Sequence, residues 1–181
     1  MDDPPLDLDA LRRSIAAGRS FDYHFFYGHR REPDGVFSQW WPCGFEVEGQ
    51  RYATAEQFMM AGKARLFGDA DALAAIVAEP APAACKRLGR RVRGFDEQTW
   101  AHARFDLVVE GNLAKFGQSD RLGSILLATG DDILVEASPT DRVWGIGLAA
   151  SSPLARDPAT WRGLNLLGFA LVKTRALLRA G

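Results

Sequence analysis

The sequence predicts an α+β fold in which helices outnumber strands. Three observations lead there. Segments with helical spacing outnumber strand-like ones. The strand-like segments do not alternate regularly with the helical ones, which argues against a doubly wound sheet. The best strand, ILVEAS at 133–138, stands isolated in the chain. A chain of 181 residues, 47% hydrophobic and 25% charged, has the length and composition of one globular domain with a sizeable core. The expected organisation is an N-terminal extension with a short helix over residues 1–19 and a single compact domain over residues 20–181.

The elements follow in order. Residues 1–6 are expected to be loose. Asp7 or Asp9 caps a short helix through Leu8, Leu11, Ile15 and Ala16, stopped at Gly18. FDYHFFYGHR (21–30) is aromatic and β-prone, and the turn-forming REPDG follows it. FEVEGQRYAT (45–54) alternates in polarity around Glu48-Gly49 and reads as a hairpin. TAEQFMMAGKARLF (54–67) reads as a helix, with Thr54 and Gln57 at capping-box spacing. Short helices are expected from Asp69 to Ala78 and from Pro82 to Leu88. Residues 96–116 form one long helix or two behind Asp96, and residues 119–128 form another that Gly130 ends. DPATW (157–161) reads as a helical turn. The closing helix, 164–178, places residues 164, 167, 171, 174 and 178 on one face.

Composition narrows the function classes. The net charge of -1 gives no global field for duplex DNA or an anionic membrane, although a local basic cluster still suffices for a phosphate. The acidic start, MDDPPLDLDALRRS, has no apolar core of a signal peptide, and no stretch approaches 18 apolar residues. A cytoplasmic location without membrane contact is therefore expected. Cys43 and Cys85 lie far apart in no metal-ligand spacing, which suits free thiols and leaves a single disulfide open. The nucleotide-loop patterns GxGxxG and GxxxxGK[ST] do not occur. With three histidines and no ligand spacing, neither a metal nor another cofactor is expected.

Several residues stand out for their chemistry. Glu56 and Lys63 are seven apart on one helix, about 20° short of two full turns, so both project from one side. Glu56 lies in the first turn, where the helix dipole favours its charge. Phe58, Met59 and Met60 make the surrounding helix largely apolar. The pair is either a solvated surface pair or part of a site. Trp100 and Arg104 share a face four residues apart, and either stack and clamp a ligand or form a covered surface contact. The run of Lys86, Arg87, Arg90, Arg91 and Arg93 reads chiefly as a solvated face. In VEASPTDRVWGIGL a strand delivers Glu136 to its end, a turn carries Asp141, and Trp144 precedes Gly145 and Gly147. This is either a pocket floor for a flat, polar ligand or a buried Trp with glycines used for turns.

Taken together, seven ordered stretches resemble the NADAR (YbiA-like) family. They are FFYGH, FSQWWPCGFEVEGQRYATAEQFMMAGKARLFGD, KRLGRRVRGFDEQTW, GNLAKFGQ, LLATG, LVEASPTDRVWGIGL and WRGLNLLGFALV, spanning about residues 21–178. The resemblance implies a single compact YbiA-like α+β domain, mostly helices around a small β-sheet, and an N-glycosidase that cuts the bond between ribose C1′ and a nitrogen. Two substrate classes go with it. One is ADP-ribose on the guanine amino group of DNA or RNA; the other is the ribosylamino-pyrimidine phosphate intermediates of riboflavin biosynthesis. Where family members commonly read LSNF, this chain has Phe37-Ser38-Gln39-Trp40, a difference that bears on substrate choice.

Under that resemblance the residues take roles. Breaking C1′–N builds oxocarbenium character on the sugar and negative charge on the leaving nitrogen, so an acid, an anion and a positioned water are needed. Glu56 is expected to be the general acid/base, with apolar neighbours favouring its protonated form. Asp141 is expected to stabilise the sugar cation or orient water. Lys63 either holds a phosphate or Glu56, or attacks the opened ribose as a Schiff-base amine. Trp144 and Trp100 would stack base or sugar. Arg104 and Lys115 would meet phosphate or pair with acids. Glu136 would lie at the ligand, and Gly145 and Gly147 would offer backbone N–H groups to phosphate. Phe26, Tyr27 and His29 would wall the pocket. The expected partner is a ribosyl or ADP-ribosyl N-glycoside, either a small molecule, which the near-neutral charge favours, or modified nucleic acid. Rival readings are a non-catalytic module that binds ADP-ribose or NAD, and a structural partner that acts by contact.

Overall fold

The computed structural model describes residues 3–181 and shows an α+β fold with seven α-helices and four short strands among those residues. By internal contacts the chain divides into two units. One comprises the chain up to Ser38 together with Gly123–Gly181; the other is Gln39–Leu122. The strands are shared between two two-stranded sheets, one in each unit, where a single sheet was expected.

In the first unit, α1 (Leu8–Ala16) is capped by Asp7, whose carboxylate accepts from the Ala10 N–H at 2.6 Å. Arg12 of this helix donates from Nε and Nη2 to the Pro158 carbonyl, at 3.0 and 2.9 Å, tying α1 to the 3₁₀ turn Pro158–Thr160. The expectation of a loose start needs correction. Met1 and Asp2 lie outside the described residues, but Pro5 is buried. Strand β1 (Tyr23–Phe26) pairs in parallel with β4 (Ile133–Glu136), in a register that sets Tyr23 opposite Ile133 and Phe26 opposite Glu136. Both strands therefore end at the same edge. Helix α7 (Leu166–Ala180) packs on β4 and buries Leu167, Phe169, Ala170, Leu171, Val172 and Thr174. It starts two residues later than expected, and Leu164 is exposed rather than on the buried face. Arg175 is buried instead, donating to Thr129 Oγ1 (2.6 Å) and to the Asp132 carbonyl (2.8 Å).

In the second unit, the hairpin of β2 (Phe45–Val47) and β3 (Gln50–Tyr52) turns at Glu48-Gly49, as expected. Both turn residues have positive φ (51° and 78°), the requirement of a tight two-residue hairpin turn. Helix α2 (Ala55–Leu66) is the centre of the unit. Nine of its twelve residues are buried against α3 (Ala70–Ala78), α4 (Pro82–Gly89) and α5 (Glu97–Gly117). The long segment is one unbroken helix, capped by Asp96 through the Thr99 N–H at 2.7 Å. Helix α6 (Asp120–Leu127) carries the chain from this unit into the first.

The capping box at α2 is only half formed. Thr54 Oγ1 accepts from the Gln57 N–H at 3.2 Å, but the Gln57 side chain does not return to Thr54. Its Oε1 accepts from the Ala53 N–H (2.7 Å), and its Nε2 donates to the carbonyls of Ile76, Val77 and Glu79. The Oε1 that would close the box is taken by the Ala53 N–H, while Nε2 serves the last carbonyls of α3, which have no intrahelical partner.

Candidate functional site

In the second unit the candidate residues gather on α2 and α5. The Glu56 N–H donates to the Gln39 carbonyl at 2.9 Å, so the first turn of α2 hangs on the FSQW loop. The Glu56 side chain is 4% exposed, which rules out a solvated surface pair with Lys63. Two turns on, Lys63 Nζ sits 4.0 Å from the centre of the Phe95 ring and 5.5 Å from that of Trp100. Burial lowers the Lys63 pKa, against the opposing charge of Glu97. The two rings stabilise the cation, while the loss of water disfavours it and outweighs the charge of Glu97.

Trp100 is buried, with Lys63 over its ring. Arg104, one turn later, points Nη1 at Glu97 Oε1 (3.3 Å), while its buried Nε has no hydrogen-bond partner among the described residues. The Nε–H thus remains for an anion. Lys115, further along α5, is fully enclosed and its pKa is pushed down to about 8 by burial, with the Cys43 thiol opposing this. An amine in that range changes charge close to neutrality.

Sequence reading missed two residues here. Gln39 is buried beside the start of α2, and its Oε1 has no hydrogen-bond partner among the described residues. Phe95 is 43% exposed and reads in the sequence as a loop aromatic, so nothing flags its place over Lys63. The basic run 86–93 is largely solvated as expected, and Arg93 within it, though exposed, pairs with Asp69 (2.7 Å) and Asp71 (2.6 Å). A cavity of about 400 Å³ lined by Tyr52, Phe58, Arg65 and Leu107 lies on the face of α2 away from Glu56 and Lys63.

In the first unit the candidates collect where the parallel strands end. Phe26 is buried at the end of β1, and the chain continues through the exposed Tyr27 to the half-buried His29. Glu136 ends β4, and Asp141 and Trp144 follow in its loop. The carboxyl end of parallel strands is the usual ligand-binding edge of such sheets. Asp141 shapes this loop: its Oδ1 accepts from both Val143 N–H and Trp144 N–H at 2.8 Å. Gly145 is required by the chain itself, since a Cβ there would come within 2.8 Å of the Glu136 carbonyl oxygen. Gly147 has φ of 68° and is packed against Arg142 and Arg162. Both glycines are buried in the loop's own packing.

Asn165 is the organiser that the sequence did not reveal. It is fully buried, with φ of 54°, immediately before α7. Its Oδ1 accepts from the Glu136 N–H and its Nδ2 donates to the Leu134 carbonyl, both at 2.9 Å. The N–H groups of Leu166 and Leu167 donate to the carbonyls of Val143 and Trp144. The first turn of α7 thus finds its cap in the 141–147 loop.

Among the described residues no group of three His, Cys, Asp or Glu side chains is placed to hold a metal ion, and no helix is long and apolar enough to cross a membrane. Comparison with known proteins gives a consistent picture. The family model described as NADAR domain matches residues 25–179. An N-glycosidase of Acanthamoeba polyphaga mimivirus is 44% identical over 160 residues, covering 84% of this chain and 94% of that protein. A riboflavin biosynthesis protein of Vibrio vulnificus is 30% identical over 158 residues, covering 86% of this chain and 38% of that protein. The NMR structure of the Escherichia coli protein YbiA superimposes with a TM-score of 0.73 at 25% identity, covering 90% of this chain and 88% of that one.

Proposed function

We propose an N-glycosidase from the premise that the chain belongs to the NADAR family, whose model spans residues 25–179. The protein is a hydrolase of N-glycosyl bonds and cuts ribose C1′ from nitrogen. The observation that carries this reading is the chemistry on α2: a buried carboxyl at Glu56 and, two turns on, an amine at Lys63 held over two aromatic rings. Glu56 delivers a proton to the departing nitrogen and then activates water. Lys63 attacks C1′ of the ring-opened sugar, where C1′ is an imine carbon, and the original nitrogen leaves as a neutral amine with the proton from Glu56. Water then hydrolyses the Lys63 imine, freeing the sugar and the lysine. Burial favours the neutral, nucleophilic form of Lys63. The unpaired Nε–H of Arg104 suits a phosphate oxygen.

Taken by itself, the other unit offers Trp144 as a stacking surface and Glu136 as a carboxylate at the strand end. Asp141 and the two glycines hold the loop in shape: the Asp141 carboxylate already binds two backbone amides. Two substrates fit the reading. ADP-ribosylated guanine supplies a flat base and phosphates. The ribosylamino-pyrimidine phosphate has the same C1′–N bond, and the likeness to a riboflavin biosynthesis protein favours it.

The test is Glu56→Gln, assayed for both turnover and binding. Turnover is expected to fall at least 100-fold, as for loss of a positioned acid, while ADP-ribose affinity measured by calorimetry stays within a factor of a few. Retained turnover in Glu56→Gln removes the acid/base role. Binding without turnover in the wild type leaves the reading of a non-catalytic ADP-ribose module.

A further inference from the structure

Phe95 lies outside every regular element, between a basic run and the cap of α5, and is 43% exposed. A large apolar side chain at that exposure usually moves freely. Here three sets of contacts fix it. Its ring meets Phe67 edge-on at 5.4 Å and lies 4.0 Å beneath Lys63 Nζ. On its carboxyl side, Asp96 is locked as the α5 cap by the N–H and hydroxyl of Thr99, both at 2.7 Å.

On its amino side the chain is anchored by a carboxylate. Asp69, the cap of α3, is 5% exposed. Its Oδ2 accepts from the Arg93 backbone N–H at 2.8 Å, and its Oδ1 accepts from the Arg93 guanidinium at 2.7 Å and from the Ala72 N–H at 3.2 Å. Two of these three bonds come from Arg93. A cap by itself needs only one bond, to an N–H of the first helical turn. The extra bonds hold the backbone two residues before Phe95 at a fixed distance from α3.

We infer that Asp69 and Arg93 act as a clamp that places Phe95 over Lys63, making Phe95 a positioning residue for the Lys63 amine. The functional half of this inference rests on the proposed role of Lys63; the structural half does not. A lysine side chain has four rotatable bonds, and a reactive amine must be held near one geometry. The Phe95 face and the Trp100 ring leave the Nζ one favoured location. The clamp therefore restricts the amine from outside its own helix.

The direct readout is the aromatic ring current. Reductive methylation with ¹³C-formaldehyde labels those of the chain's four lysines that it reaches, Lys115 being enclosed, and keeps their charge; Lys63→Arg identifies the Lys63 signal. In the wild type that signal is expected upfield, over a ring face. Phe95→Leu should move it downfield, and Phe95→Tyr should restore it. Asp69→Asn replaces an acceptor facing Arg93 by an amide donor and should move the signal as Phe95→Leu does. If Asp69→Asn does not fold, Arg93→Met, which leaves the α3 cap in place, carries the same expectation. A wild-type Lys63 signal in folded Phe95→Leu, or in the folded clamp variant, overturns the inference.

Hydrolysis separates this from the reading it rests on. Phe95→Leu should lose on the order of 100-fold in kcat/KM, mostly in kcat, as for a misplaced reacting group, and Phe95→Tyr should recover it. Loss of the ring-current shift with hydrolysis intact overturns the positioning role. Full activity of Lys63→Met overturns the role of Lys63 in the reaction and leaves the clamp standing.

Discussion

At the scale of single residues, burial decides which side chains do chemistry. Lys63 is displaced toward its neutral form by loss of water, even though Glu97 opposes that shift. If its amine bonds C1′, borohydride added during turnover should trap a stable sugar adduct on the peptide carrying Lys63. Mass spectrometry should find that adduct in the wild type and not in Lys63→Arg. A trapping experiment without adduct, alongside an inactive Lys63→Arg, would assign Lys63 to electrostatics instead. Asp69 shows the opposite behaviour. The Arg93 hydrogen bonds hold its carboxyl well below the usual carboxylate range. A depressed folded pKa means that Asp69 stabilises the fold fully above its unfolded pKa of about 4 and loses this as pH falls through the folded value. The stability gap between wild type and Asp69→Asn should therefore be constant from about pH 8 to 5 and shrink below about pH 4, as urea titrations would show. Cys85 is held in its thiol form by burial. Burial, with the charges of Glu79 and Glu56, pushes its pKa up to about 11, and its thiol donates to the Glu79 carbonyl.

At the scale of elements, two buried amides join segments far apart in the chain. Gln57 links the residue before the α2 cap to the last turn of α3. Gln57→Leu strands one N–H and up to three carbonyls, and should cost about 3 kcal/mol in denaturant unfolding. Asn165 joins β4 to the start of α7. Asn165→Ala leaves the Glu136 N–H and the Leu134 carbonyl unpaired, at a cost also near 3 kcal/mol. It should also slow turnover by loosening the loop that carries Trp144, while Gln57→Leu should reduce stability alone. These amides also show where sequence reading stopped. Helix spans, the Glu48-Gly49 turn, and the caps at Thr54 and Asp96 were legible, because each depends on neighbours three or four residues away. The partners of Gln57 lie 19 to 22 residues on, and those of Asn165 lie 29 to 31 residues back. No local pattern encodes such distances.

At the scale of the whole molecule, the α+β class was legible from the order of helical and strand-like segments. The division of strands between two sheets was not, since β1 and β4 pair across more than a hundred residues. Glu56 and Lys63 were legible as a pair on one side of a helix, but the burial of Glu56 was not: that depends on α3, α4 and α5 surrounding α2. Asp141 was recognisable as a special residue of its loop, and the structure gives it the task of binding the Val143 and Trp144 amides. The central claim is that this chain hydrolyses a ribose C1′–N bond. The most direct test is mass spectrometry of the products from guanine-ADP-ribosylated oligonucleotide and, separately, from the ribosylamino-pyrimidine phosphate. Free ADP-ribose from the first or ribose 5-phosphate from the second, formed by wild type and not by Glu56→Gln, is the expected result. Both substrates recovered intact after prolonged incubation with the wild-type protein would contradict it.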